Sequence, residues 1–375
     1  MAARRLTVLQ LLPALEQGGV ERGTVEIAQG LRAAGHRALV ISAGGRLQAE
    51  LAAVGAEHWC WPIGRKSPLT VLLSLRLRRF MRAQGVDIVH ARSRVPAWIA
   101  WLAWTGMAAA ERPRFVTTMH GFNRVGWYSS VMTRGERVIA VSEAIRDFAL
   151  AHYPRLEPYR LELIPRGVSV QDYHHGFSPD PAWVERFRNE LGLGVDTRLL
   201  LMAGRITRLK GHPTLLRLMR ALLDDGRLVH ALVVGAPDAR HAGYLSELHR
   251  LAASLRVDRH VSWLGGRSDL REIMSVSDLV LSLSNKPESF GRTVLEALSL
   301  GRPVVGEAHG GVGELLAAMY PAGAAPVGDF ARLSDTVRRN LDAPQAVRPN
   351  ERYTLQNMVD STLDLYQRLL QCPQP

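Results

Sequence analysis

Short, continuously apolar runs alternate with amphipathic stretches along nearly the whole chain, and few folds accommodate that pattern. Residues 6–12 form the first such run. Beyond Gly18-Gly19 a helical pattern covers 20–33 and stops at Gly35. A strand is expected at 38–41, a helix near 68–84, a strand at 88–90, a helix at 96–107, and strands at 115–118 and 138–141. Strands that are apolar throughout and separated by helices imply a parallel sheet covered on both faces. Between 177 and 188 the pattern slackens, with Pro179 and Pro181 as punctuation, so a linker is expected near 165–180. The alternation then restarts at 199–203, 213–223, 231–234, 244–255, 261–264, 279–282, 293–299 and 303–306, and the tail at 355–370 reads as helix. The expectation is an α/β chain of two doubly wound, Rossmann-like domains. Domains of this kind in tandem would face each other across a cleft, with ligands at the carboxyl ends of the strands.

The boundaries follow from the same reading: 1–170 for an N-terminal domain, 171–350 for a C-terminal one, and 351–375 for a helix packing back toward the first. A length of 375 residues exceeds what one core usually holds. Cys60 and Cys372 stand too far apart in sequence for a disulfide framework or a zinc ribbon, which suits a reducing cytoplasm. The opening 1–15 has Arg4 and Arg5 ahead of an apolar run, but Gln10 and Pro13 interrupt it and no small-x-small site follows, so it reads as a buried strand. The longest apolar run, 95–110, would extend about 24 Å as a helix, short of a hydrocarbon core of roughly 30 Å. It contains Trp98, Trp101 and Trp104 and reads as a packed helix.

The formal net charge of +12 is unevenly spread. Residues 1–175 carry 23 Lys and Arg against 13 Asp and Glu, whereas 176–375 carry 24 against 22. The N-terminal half therefore points toward an anionic partner. On a helical wheel of 68–84, Leu69, Leu73, Leu77, Phe80 and Met81 share one face. Arg78, Arg79 and Arg82 lie opposite, mixed with Val71 and Leu75. Such a face suits either an anionic membrane surface or plain solvent. Nucleic acid is disfavoured, because aromatics make up only 6% of the chain and no reader motif occurs.

Familiar phosphate motifs are missing. Gly18-Gly19-Val20-Glu21-Arg22-Gly23 has the wrong spacing for a dinucleotide fingerprint, and Lys210 precedes Gly211-His212 where a P-loop needs Gly-Lys-Ser/Thr. No Asp-x-Asp triplet exists to hold a metal-bridged diphosphate. Helix N-termini combined with cations remain. The strand at 199–203 ends in Gly204-Arg205, with Lys210-Gly211 just beyond and Pro213 opening a helix. Two cations there could clamp a diphosphate, or could simply line a solvated loop. In 286–296, Glu288 and Glu296 stand eight apart, and the amides of 290–293, those of Phe290 and Gly291 among them, fall at a helix start. Glu288 would lie just outside that helix and Glu296 about a turn inside. Dipole complementation and an exposed helix glutamate are the plain alternatives.

These pieces, together with His120-Gly121, Val141-Ser142-Glu143, Ile164-Pro165-Arg166-Gly167-Val168 and Gly310-Gly311-Val312, resemble the GT-B glycosyltransferases of family 4 across nearly the whole chain. Arg166 stands where many members have Asn, and is read as a variant of the interdomain hinge. The stretch 286–305, with 309–314 after it, is similar to members that build the lipopolysaccharide core. The resemblance implies a retaining hexosyltransferase that takes its sugar from a nucleotide diphosphate, with UDP favoured and no metal or cofactor. Its implied acceptor is a lipid-linked glycan at the cytoplasmic face of an anionic membrane, favoured as lipopolysaccharide core. It also implies roles. Arg205 and Lys210 grip the diphosphate, Glu296 the ribose and Glu288 the sugar hydroxyls. Phe290, Gly291, Gly310 and Gly311 border the donor, Gly18 and Gly19 give its diphosphate room, and His120 bonds the sugar or acceptor near the reacting carbon. A sugar-nucleotide epimerase on the same fold is the nearest rival, and a basic nucleic-acid-binding protein a more distant one.

Overall fold

The computed structural model describes residues 4–16, 18–238 and 243–372. The chain divides into two compact units, one of residues 1–166 with 355–375 and the other of residues 167–354.

The first unit is built on seven strands: β1 (Thr7–Leu11), β2 (Arg37–Ser42), β3 (Glu57–Cys60), β4 (Ile88–Ala91), β5 (Arg114–Met119), β6 (Arg137–Ala140) and β7 (Leu161–Leu163). They lie in the order β3-β2-β1-β4-β5-β6-β7, every pair parallel. Strand order reverses between β1 and β4, the switch point at which doubly wound sheets bind ligands. The second unit repeats the plan with β8 (Arg198–Ala203), β9 (Val229–Val234), β10 (Val261–Gly265), β11 (Leu279–Ser282), β12 (Val304–Glu307) and β13 (Ala324–Ala325). Their order is β10-β9-β8-β11-β12-β13, again all parallel, with the reversal between β8 and β11. Both sheets have the Rossmann-like form expected from the alternation.

Cores on the sheet faces explain the strand composition. Val8, Ala38, Val40, Ile88, Val116 and Ile139 are buried in the first unit, alongside Met358, Val359, Leu365 and Tyr366 of the C-terminal helix Leu355–Gln371. That helix lies against Gly19–Ala33, where a Cβ on Gly30 would overlap the Val359 side chain. Tyr366 is fully buried, its hydroxyl 2.6 Å from His90 Nδ1, and His90 Nε2 is 2.6 Å from Thr118 Oγ1. In the second unit Leu200, Leu215, Leu218, Ala231, Val233, Leu279 and Val305 are all buried.

Two local expectations need correction. The segment expected as one helix over 68–84 opens as a 3₁₀ turn, Pro68–Leu72, before the α-helix Leu73–Ala83. A 3₁₀ turn advances about 120° per residue, so a 100° wheel misplaces its side chains. Leu77 and Met81 are buried as expected, whereas Leu69 is 73% exposed. The stretch 177–188, where the sequence pattern slackens, carries a helix, Pro181–Leu191, whose Asp180 cap accepts from Ala182 N at 2.7 Å. Pro181 occupies the first turn, where its missing N–H costs nothing. The tryptophans of the helix Arg94–Thr105 are half-buried: Trp98 Nε1 donates to Tyr128 O at 2.9 Å and Trp104 Nε1 to Pro113 O at 2.7 Å.

The Gly30 contact gives a stability test. Gly30→Ala gains helix propensity of about 1 kcal/mol but forces overpacking that costs about 1–3 kcal/mol, so a lower urea midpoint is expected. Adding Val359→Ala should recover part of the loss relative to Val359→Ala alone. If Gly30→Ala is neutral or stabilising, the close helix contact is not a constraint.

Candidate functional site

In the second unit the loops after β8, β11 and β12 interlock. Gly204, at φ +139°, leaves β8, and the loop to Gly211 carries Arg205 and Lys210. Gly211 lies at φ +81° as the cap of the helix His212–Asp224, where a Cβ would overlap the carbonyl of Leu283. Asn285 ties the two loops together, its backbone N–H donating to Leu209 O at 3.0 Å and its side chain to Arg208 O at 3.1 Å. Across this junction Lys210 Nζ meets Glu288 Oε1 at 2.8 Å, and the Ser284 hydroxyl donates to the same oxygen. Burial works to raise the Glu288 carboxyl, but the Lys210 ammonium and the Ser284 hydroxyl outweigh it. Glu288 is thus held below the usual glutamate value and carries its negative charge at neutral pH.

Arg205 is exposed, and no hydrogen-bond or ion-pair partner is found for it among the described residues. Lys210 commits one of its three N–H bonds to Glu288 and keeps two for an anion. The helix Arg292–Ser299 follows, with Gly291 at φ +95° as its cap. Its first-turn amides are a place where an anion is stabilised. Glu296 is buried, and its Oε1 accepts from Arg292 Nε at 2.9 Å. Tyr173, which the sequence did not single out, is pushed up to about 12, chiefly by burial and next by the Glu296 charge. Phe290 is buried edge-on to Tyr353, with ring centres 6.0 Å apart.

Gly310 and Gly311 brace this loop from β12. Gly311 N donates to Glu288 O at 2.9 Å, and a Cβ on Gly310 would come within 2.5 Å of that same carbonyl. A Cβ on Gly311 would overlap the backbone of Phe290. Their glycine character is thus accounted for by close packing that sets the position of Glu288.

In the first unit, residues after β1, β4, β5 and β7 gather at the carboxyl edge of the sheet. Gly18 has an extended φ of 170°, and Gly19 begins the helix Gly19–Ala33. A Cβ on Gly18 would meet only the movable Glu21 carboxylate at 2.5 Å, so the chain's own packing places little demand for glycine there. His120 follows β5. Its Nδ1 accepts from Arg166 Nη2 at 2.7 Å, and its buried Nε2 has no partner. Burial, then the charges of Arg166 and Arg92 and the nearby His90, lower its pKa well below the ordinary histidine value. Arg166 stands at the border of the two units, where the hinge reading puts it. Its backbone ends the first unit, but the side chain turns inward, is buried, and also donates to Gly19 O. Arg92, after β4, is buried as well and donates to Gln10 Oε1 at 2.9 Å. His90, Arg92, Thr118, His120 and Arg166 line a cavity of about 20 Å³, room for roughly one water. Sequence reasoning missed Arg92 and Ser284, since neither belongs to a recognisable spacing. No cluster of three or more His, Cys, Asp or Glu that could hold a metal occurs among the described residues.

Two doubly wound units with all-parallel sheets are the GT-B form. Residues 17–172 match the family described as Glycosyltransferase Family 4, and residues 184–353 match Glycosyl transferases group 1. Together these matches take in both units and support a GT-B glycosyltransferase. The crystal structure of a glycosyltransferase from Rickettsia africae ESF-5 is 27% identical, with a TM-score of 0.86 over 98% of this chain and 100% of that one. Anabaena Alr3699/HepE, solved in complex with UDP and glucose, shares the fold at 20% identity and a TM-score of 0.77, covering 97% and 100%. D-inositol 3-phosphate glycosyltransferase of Corynebacterium kroppenstedtii is 29% identical over 48% of this chain, and the match spans only 40% of that protein.

The bracing role of Gly311 can be tested directly. Gly311→Ala should displace the backbone at 288–290, destabilise the protein by about 1–3 kcal/mol and weaken UDP binding. Unchanged UDP affinity in calorimetry would separate the glycine from the site.

Proposed function

We propose that this protein is a hexosyltransferase that moves a sugar from a UDP-linked donor to a hydroxyl of a lipid-linked glycan, with retention at the anomeric carbon. The observation that carries the reading is the Lys210–Glu288 pair at the β8/β11 switch point, beside Arg205, which has no partner among the described residues. In this reading Arg205 and the two spare N–H bonds of Lys210 hold the diphosphate. They stabilise the charge that builds as the C1–O bond to phosphate breaks, a contribution that is often the largest in catalysis. The acceptor oxygen forms the new bond to C1 and passes its proton to the departing phosphate. Glu288, kept ionised, accepts from sugar hydroxyls, and Glu296 accepts from the ribose. The amides of Phe290 and Gly291 lie along the donor, and Gly310 and Gly311 set their position. Gly18, in a conformation open to any residue, together with Gly19 keeps an approach clear of side chains. His120 offers Nε2–H to an oxygen of the sugar or acceptor. No metal or cofactor is assigned a part.

UDP is favoured because a protein of the same fold has been solved with UDP and glucose. Lipopolysaccharide core as the acceptor rests on the similarity of 286–305 and 309–314 alone. The curated relative is named for an inositol phosphate, so the acceptor is proposed only as a glycan on a lipid. The names of these relatives give the epimerase reading no support.

The test is calorimetric titration with UDP, GDP and ADP, followed by turnover of the donor selected. Binding that prefers UDP and is weakened by Glu296→Ala is expected, with turnover reduced by about 10²–10³ in Glu288→Gln. Absence of nucleotide binding would overturn the reading. Free sugar isomer formed without any acceptor would turn it toward an epimerase.

A membrane-surface location is part of the same proposal, and exposed side chains favour it. Leu69, Val71, Leu72 and Leu75 are all at least half exposed on the 3₁₀ turn and the start of the following helix. Exposed Arg65 and Lys66 precede them, and exposed Arg76 and Arg79 follow. The cation set differs from the one read off the wheel. Arg82 pairs with Glu111 at 2.7 Å, and Arg78 is half-buried beside Gly106. No helix of the described residues is long and apolar enough to cross a membrane. Apolar side chains inserted among cations bind anionic lipid, each cation contributing about 1 kcal/mol. The double variant Leu69→Gln/Leu72→Gln and the variant Arg79→Glu should each lower binding to vesicles containing phosphatidylglycerol while leaving UDP affinity intact. Vesicle binding equal to the parent's in both would remove this surface from the proposal.

A further inference from the structure

His120 and His90 occupy one buried neighbourhood, yet only one of them is fully partnered. His90 has both ring nitrogens engaged, by Tyr366 and by Thr118. His120 has Nδ1 engaged by Arg166, while its buried Nε2 has no partner. Buried polar groups are nearly always satisfied, so an exception needs an explanation. Arg92 Nε, also buried, lacks a partner too, and both residues line the same cavity.

A guanidinium has five N–H donors and no acceptor. Its bond to His120 Nδ1 is possible only if that nitrogen carries no proton, so a neutral His120 must hold its proton on Nε2. Asparagine at this place could present either its oxygen or its amide N–H, and would leave the tautomer open. Arginine leaves no such choice.

The guanidinium is itself held in place. It donates to the Gly19 carbonyl, Arg166 is only 8% exposed, and a Cβ on Gly23 would come within 3.2 Å of both Arg166 Nη1 and Arg92 Nη2. Gly23 thus leaves the space in which two guanidiniums pass, with a Glu26 carboxylate oxygen 3.9 Å from the same point as a counter-charge. One side chain joins the turn after β1 to the residue after β5.

We infer that Arg166 is a positioning residue: it locks His120 as the Nδ1-acceptor, Nε2–H-donor tautomer, so that a fixed N–H is presented to a substrate hydroxyl oxygen. This rests on the glycosyl-transfer reading for the identity of that oxygen, but not for the tautomer. A donor whose direction and protonation are already set needs no reorganisation when charge develops on the oxygen it meets. The low His120 pKa fits the same arrangement, since burial, Arg166, Arg92 and His90 all oppose a second proton.

The experiment uses the full chain labelled with ¹⁵N-histidine, with the His120 signals assigned by comparison with His120→Gln. The parent should show the shifts of a single tautomer, with protonated Nε2 and unprotonated Nδ1. In Arg166→Met, and in Arg166→Asn, the two nitrogens should move toward averaged shifts, whereas Arg166→Lys, which still can only donate, should keep the parent pattern. In parallel, UDP release from UDP-glucose should show kcat about 10- to 100-fold lower in Arg166→Met with KM little changed, the scale known for the outer hydrogen-bond partners of metal-bound histidines. Circular dichroism and UDP affinity equal to the parent's establish that the variants are folded. An unaltered tautomer in both Arg166→Met and Arg166→Asn would overturn the inference. Averaged shifts with undiminished kcat would also overturn the positioning role, and would remove His120 from the transfer. If the parent itself releases no UDP from UDP-glucose, glucose transfer from that donor fails, while the nitrogen shifts still decide whether Arg166 sets the tautomer.

Discussion

Parallel strand pairing is the constraint on which the rest of this molecule depends. A parallel ladder cannot be closed by a tight hairpin, so each strand must return through a crossover on a sheet face. All strands of a sheet then end on the same edge, and the loops leaving them gather there. In the first unit this brings Gly18, Arg92, His120 and Arg166 to one edge from four different strands. In the second it brings together Arg205, Lys210, Ser284, Glu288 and Gly310. Residues far apart in sequence become neighbours because the ladder permits no other exit.

Within that frame, glycine does the fine positioning. Gly211, Gly310 and Gly311 mark places where one loop touches the backbone of another so closely that a methyl group has no room. Side chains can move aside from an intruding carbon, but backbone in a packed loop junction cannot do so cheaply. The direction of Glu288 is therefore set by contacts made through residues that have no side chains. Its charge is set by Lys210 and Ser284 against the opposing pull of burial.

Much of this is legible in the amino-acid order alone. Apolar runs such as 199–203 declare a strand buried on both faces, and the order of Gly204-Arg205, Lys210-Gly211 and Glu288 with Glu296 marks a recognisable arrangement. The contacts are not legible there. Lys210 and Glu288 are 78 residues apart, and nothing local says that they meet. Arg166 resembles a hinge substitution because sequence shows its place in the chain and not the direction of its side chain. Leu69 fits the apolar stripe only on the assumption of one continuous helix, which the 3₁₀ turn breaks. Pro181 is ambiguous for a different reason. Proline both interrupts helices and begins them, and the cap at Asp180 that decides the matter is a three-dimensional fact.

The helix Leu355–Gln371 belongs to the unit formed by residues 1–166, so the second unit is inserted into the first along the chain. A ribosome making this protein releases seven strands of one sheet long before it releases Met358, Val359, Leu365 and Tyr366, which complete the core beneath them. Through that interval the surface destined to receive those residues is left uncovered, His90 waits for the Tyr366 hydroxyl, and the inserted unit is synthesised whole. The usual order, in which the N-terminal domain is finished first, is thereby reversed. The half of the protein that begins first is the last to close.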